Sequence, residues 1–298
     1  MVVAVIEGLS ISLIVGIGLA LIILVLAIVA TRLYWSVYEY RASVLRIQMS
    51  PLLFDILDGN FAWAAASTRR HRAALGERLS KMSREVRGSD RDTIAEWLTL
   101  NGYRERAESL MRSHRAWRRA RGIGLYLAAT RGLDLAPVEG LLADRHPRVR
   151  STAARALGSV AAIESIPALL GALTSADRPV ALSVVSMAIV HMAPRSARDL
   201  GSAWSSTDVR IRQLAAEVSG HLGLADARTE LEAGLLSTDK SLRLSCAGAL
   251  ARIASPASLG ALRAAHDRTD DDEERSVLKS ALRHVTGDGA ETPESGTI

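Results

Sequence analysis

LLADRHPRVRSTAARALGSV, residues 141–160, is the stretch on which the fold turns. Val149, Ala153, Ala156, Leu157 and Val160 recur at spacings of three and four, so they fall on one face of a helix. Pro147 stands where that helix begins, a place where a missing N–H costs nothing. Leu141 and Leu142 close an earlier apolar stretch, and the polar turn Asp144-Arg145-His146 separates the two. The segment reads as the hinge of a helix pair.

The hinge recurs at a period of 31 residues. Val138, Leu169, Leu200, Leu231 and Leu262 hold one station, and Leu142, Leu173, Trp204 and Leu235 another. In the second half of each unit Val149, Val180, Ile211 and Leu242 align, as do Ala153, Val184, Ala215 and Cys246. Asp177, Asp208, Asp239 and Asp270 follow the same spacing, with His146 in the first unit. Their place ahead of each second helix suits a cap that accepts free N–H groups. Pro179 is expected near a helix start in the same way as Pro147. The fifth unit needs one inserted residue, after which Arg275 and Ala281-Leu282 return to register. A helix pair this short cannot bury its apolar face alone, and stacking on its neighbours does so. The expected fold is therefore all-α: a solenoid of about five 31-residue helix pairs over residues 134–286. Composition agrees, with 48% apolar residues, 4% aromatic, and Ala and Leu in place of strand formers.

Asp144, Val149-Arg150, Ala153-Ala154 and Ala156-Leu157-Gly158 together resemble the HEAT repeat, in the short bacterial form named after phycobilisome lyases. The arginine returns as Arg212, Arg243 and Arg275, but Ala181 replaces it in the second unit. The early Asp becomes Ser175, Ser206 and Ser237. A ladder of Asp–Arg pairs between repeats is therefore expected only in part. The resemblance covers residues 134–285 and implies protein–protein interaction more than catalysis. Its enzymatic alternative is a lyase or isomerase acting on a bilin–protein bond. For anchored bacterial proteins of this type it also implies a membrane glycosyltransferase of exopolysaccharide synthesis as candidate partner.

Upstream, residues 9–30 read LSISLIVGIGLALIILVLAIVA without a charge. A helix of that length rises about 33 Å, enough for a hydrocarbon core of about 30 Å. The only charge ahead of it is Glu7, unlike the basic start of a signal peptide. Residues 9–31 are accordingly expected to be a single transmembrane helix, with 1–8 outside the cytoplasm. Arg32, Arg41 and Arg46 follow, so the rest should lie on the cytoplasmic side of the inner membrane. Tyr34, Trp35, Tyr38 and Tyr40 suit the headgroup layer. Gly8, Ser12, Gly16 and Ala20 form a stripe of small residues that would let a second membrane helix approach, a route to oligomers.

Between anchor and repeats, 32–90 reads as a juxtamembrane helical region and 91–133 as a degenerate capping repeat. HRAWRRARGIGLYLA, 114–128, is expected to be its second helix. Residues 287–298 have the composition of a disordered tail. Arginine replaces lysine nearly throughout, leaving Lys81, Lys240 and Lys279, as in high-GC bacterial genes.

The net charge of +5 is unevenly placed: +9 over 32–133 and −3 over 134–298. Arg112, Arg115, Arg118, Arg119 and Arg121 form the densest basic cluster, with Trp117 among them. Arg112, Arg115 and Arg119 are expected to share one helix face, and with Trp117 to contact anionic lipid headgroups or a protein partner. The acidic repeat region argues against nucleic acid. The seven histidines have no metal-ligand spacing, and no phosphate-binding or nucleophile motif is present, so no metal, cofactor, small-molecule substrate or catalytic residue is expected. Gly122-Ile123-Gly124 lies in a helical context and is no nucleotide loop. Cys246, the single cysteine, sits in a core register and should be an inert small hydrophobe. The acidic run Asp270–Glu274 should be a solvated entry to the last helix.

Overall fold

The computed structural model describes residues 24, 28, 29, 31, 32, 54–61, 69–86 and 88–286. The chain divides into two compact units, Met1–Leu75 and Gly76–Ile298. In the first, residues 54–57 form a helical turn closed by Gly59 at φ 77°. The apolar run 9–30 lies outside the described residues apart from Leu24, Ile28 and Val29, which are helical and exposed. The stripe Gly8, Ser12, Gly16 and Ala20 lies outside them too, as does the tail 287–298. Among the described residues no helix is long and apolar enough to cross a membrane.

Helix α1 is Arg69–Met82. Then come α2 (Ser89–Leu100), α3 (Tyr103–Met111) and α4 (Ala116–Ala129). The repeats follow as pairs: α5 (Ala136–Glu139, continued as a 3-10 turn Gly140–Ala143) with α6 (Pro147–Ser159), and α7 (Ile166–Thr174) with α8 (Leu182–Met192). Next are α9 (Gly201–Trp204) with α10 (Val209–Leu222), and α11 (Arg228–Gly234) with α12 (Lys240–Ile253). The last pair is α13 (Leu259–Arg268) with α14 (Asp272–Thr286). No strand occurs among the described residues. Within this unit the second helices stack in sequence, α4 on α6, α6 on α8, and so on to α14, which is the build of an α-solenoid.

The 31-residue register governs the core. Val138, Leu169, Leu200, Leu231 and Leu262 are each 0% exposed. Val149, Val180, Ile211 and Leu242 are buried, as are Ala153, Ala215 and Cys246. The second unit departs. There Val184 is half-buried and Val185 takes the core position. Pro179 forces the residue before it out of the helical region, and α8 starts only at Leu182. Its cap is then Ala181, not the expected Asp177. Pro179 thus lies ahead of the helix, whereas Pro147 opens α6.

The capping station holds elsewhere. His146 Nδ1 accepts from the Arg148 N–H, and Asp208 and Asp239 accept from Arg210 and Leu242. In the fifth unit the inserted residue moves the cap by one, and Asp271, not Asp270, accepts from the Glu274 N–H. Close approach between repeats falls to glycine: a Cβ on Gly158 would stand 2.8 Å from the Ala188 carbonyl oxygen, and one on Gly220 2.6 Å from the Ala249 Cα.

Candidate functional site

The arginine-rich segment is not one helix. Residues 112–115 form the turn between α3 and α4, so Arg112, Arg115 and Arg119 do not share a face. Arg112 caps the end of α3, 79% exposed, with Glu108 at 3.5 Å. Arg115 caps the start of α4 and is exposed. Trp117 is 51% exposed, and the Arg118 guanidinium lies 5.3 Å from its ring centre.

Arg119 is buried at 5% exposure, and it leaves the surface cluster altogether. Its Nε and Nη2 donate to Asp144 Oδ2 and Oδ1, both at 2.7 Å, a bidentate pair that joins the cap to the first repeat. Its Nη1 donates to the carbonyls of Ser113 and His114. The same brace recurs down the array. Arg150 donates to the Asp144 carbonyl, Arg243 to those of Ser237 and Thr238, and Arg275 to that of Thr269. Each guanidinium thus satisfies the turn that its own helix follows. Arg243 also closes a bidentate pair, with Glu274 at 2.7 Å. The ladder is partial, as expected, but its carboxylates are Asp144 and Glu274. Burial raises the Asp144 carboxyl, and hydrogen bonds from Arg119 and the His146 N–H outweigh it, leaving the group below its ordinary 3.8. The Arg243 hydrogen bond outweighs burial at Glu274 and holds it below 4.5. Glu274, expected in a solvated run, is therefore a core ligand of Arg243.

Helix α8 carries the feature that sequence reasoning passed over. LSVVSMAIVHM contains no Asp, Glu, Lys or Arg. Val185, Ala188, Ile189 and Met192 are buried, yet Leu182 and Met187 remain exposed, Met187 at 53%. α8 packs less extensively on α10 than α10 does on α12, and a groove of about 680 Å³ opens there. Ser183, Ser186, Met187 and Val190 line one side, with Glu217, His221, Ser245 and Arg252 among the residues facing them. Small side chains leave this room: a Cβ on Gly248 would meet nothing within 4 Å. The absence of charge across a whole surface helix was the signal available in the sequence.

Other sequence candidates are structural. Gly122 and Gly124 lie inside α4, and Gly122 is buried against Met111. Cys246 is buried, and burial pushes its thiol up to about 12. Among the described residues no group of three His, Cys, Asp or Glu could hold a metal ion.

Paired helices, a fixed repeat register and a capped, arginine-braced hinge define an α-solenoid of HEAT-like helical repeats. The family model of the HEAT repeat matches residues 135–163, the helix pair α5–α6. Three solved structures resemble the fold. One engineered protein is 17% identical with a TM-score of 0.39, covering 78% of this chain and 68% of that one. A second is 21% identical with a TM-score of 0.31, covering 70% and 96%. Human deoxyhypusine hydroxylase, in complex with glycerol, is 15% identical with a TM-score of 0.28, covering 83% and 98%. With TM-scores this low, none of them bears on what this chain does. The curated proteins hold no match to it.

Proposed function

We propose that the chain is a scaffold of the inner (cytoplasmic) membrane, anchored by residues 9–30, whose cytoplasmic repeats dock an apolar helix of a protein partner. The observation that carries this reading is α8. A helix without Asp, Glu, Lys or Arg, broken only by Ser183, Ser186 and His191, is suited to more burial than α8 receives. α8 packs on α6 and leaves Leu182 and Met187 exposed, Met187 at a groove with serine and glycine in its walls. A partner helix laid there would cover the exposed methionine, which adapts to varied apolar shapes. Glu217, His221 and Arg252 would form a polar rim. The HEAT-like build supports binding over catalysis, and a membrane glycosyltransferase is the candidate partner.

A photo-crosslinking residue at Met187 of the full chain, in native membranes, tests the reading. One membrane protein should be captured, and Gly248→Arg, which fills the groove, should abolish capture while leaving the helical circular dichroism unchanged. Capture indifferent to Gly248→Arg would remove the groove from the proposal. A visible absorption band on the purified chain would favour the bilin-lyase alternative. Orientation is tested by Ser295→Cys, which should resist a membrane-impermeant thiol reagent in intact cells and react after lysis.

A further inference from the structure

The starts of the second helices differ along the array. α10, α12 and α14 begin under the carboxylates of Asp208, Asp239 and Asp271. α4 and α6 begin at Arg115 and His146, with no acid in their first turns. Arg118 and Arg148 stand in those turns instead, and Arg145 lies just ahead of α6. A cation at a helix start opposes the helix dipole, so this end of the array carries positive charge that folding does not favour.

The two turns are held side by side. Arg145 Nη2 donates to the His114 carbonyl at 2.7 Å, and the Arg119–Asp144 pair lies beneath. That pair consumes the nearest carboxylate, Asp144. Arg115, Arg118, Arg145 and Arg148 are exposed and make no ion pair among the described residues. The contrast lies farther along, where Asp208 neutralises Arg210, and Asp271 and Glu273 neutralise Lys240. Trp117 stands exposed among these cations, with Arg118 over its ring.

We infer that this turn edge, Arg115, Trp117, Arg118, Arg145 and Arg148, rests on an anionic phospholipid surface. Four exposed cations that make no ion pair among the described residues match a leaflet that carries negative charge. An exposed indole among them matches the boundary between headgroup and acyl chain, where tryptophan is enriched. The edge is a row of helix starts at turns, lies outside the groove of α8, and leaves that groove free for a protein. The inference deepens the membrane reading above and rests on it for the surface concerned, but it is tested separately.

The full chain is placed with nanodiscs of phosphatidylcholine alone or of phosphatidylcholine with phosphatidylglycerol, and amide hydrogen exchange is followed by mass spectrometry. Retention on discs of either composition reports the anchor. Slowed exchange at 112–118 and 144–149, seen with phosphatidylglycerol and lost at high salt, reports the edge. The variant Arg115→Gln/Arg118→Gln/Arg145→Gln/Arg148→Gln should lose that slowing with exchange elsewhere unchanged. The single change Trp117→Ala, which leaves every charge in place, should weaken it. Equal exchange on both discs overturns the inference. So does slowing produced by an RNA oligonucleotide at the same ionic strength in place of the anionic discs.

Discussion

At the scale of single residues, two stations of the repeat pull in opposite directions. Four of the second helices are followed by a residue in the left-handed region: Ala193 at φ 50°, Gly223 at 65° and Ala254 at 52° cap α8, α10 and α12, and Ala161 at 55° lies one residue past the cap of α6. A Cβ there meets the following carbonyl at a cost of about 1–2 kcal/mol, which glycine avoids at some expense in chain entropy. Ala254→Gly should therefore stabilise the chain by about 1 kcal/mol, read as a higher urea midpoint with unchanged slope. Gly158 is the reverse case. Its missing Cβ lets α6 meet the backbone of Ala188 on α8, which cannot swing aside as a side chain would. Gly158→Ala should cost about 1–3 kcal/mol by overpacking. A neutral result would mean that the repeats are not in backbone contact there.

At the scale of elements, the arginine brace decides how one repeat grips the next. Arg119→Gln should be among the most damaging changes, at about 3–5 kcal/mol, because it strands the buried Asp144 carboxylate. The pH dependence follows from the same pair and from Arg243–Glu274. Both carboxyls lie below their ordinary values of 3.8 and 4.5 in the folded chain, so below about pH 5 the unfolded chain binds more protons. Their stabilisation is present above that range and is lost as pH falls through the depressed folded values. The urea midpoint should fall steeply below pH 4.5, and less so in Glu274→Gln, whose acid limb has one titrating group fewer. The brace was legible in part. Arg150, Arg243 and, after the inserted residue, Arg275 stand at the repeat spacing and brace their turns, whereas Arg212 at the same station leaves its buried Nε without a hydrogen-bond partner among the described residues; Arg119 lies one period of 31 before Arg150. In the sequence it reads as surface because its neighbours Arg115, Arg118 and Arg121 suggest a single charged helix. The turn at 112–115 that breaks that face has no proline or glycine to announce it. The groove at α8 depends on how Pro179 delays one helix against another, and spacing alone does not register that.

At the scale of the whole array, the repeats should behave as a chain of nearest neighbours, because the helices of a pair pack mainly on the pair before and the pair after. Cys246 provides the reporter. It is 0% exposed on α12, and with its thiol pushed up to about 12 it is almost wholly protonated at pH 8, so reaction requires local opening. Leu231, on α11 of the same pair, and Leu169, on α7 two pairs upstream, occupy one buried station and are both 0% exposed. Truncating either to alanine should cost roughly 2–5 kcal/mol. Under native conditions labelling of Cys246 follows the opening of its own unit. Leu231→Ala should then speed it by about thirtyfold or more, since each 1.4 kcal/mol is a factor of ten. Leu169→Ala should act on Cys246 only through the intervening pair α9–α10, so its acceleration should be much the smaller even when the two variants lose equal global stability. Equal acceleration would show that the array opens as one block, and a local account of its stability would have to be abandoned. If the graded result holds, the α8 groove can be loosened or reshaped without unlocking α12, which a solenoid that docks a partner on one stretch of its length requires.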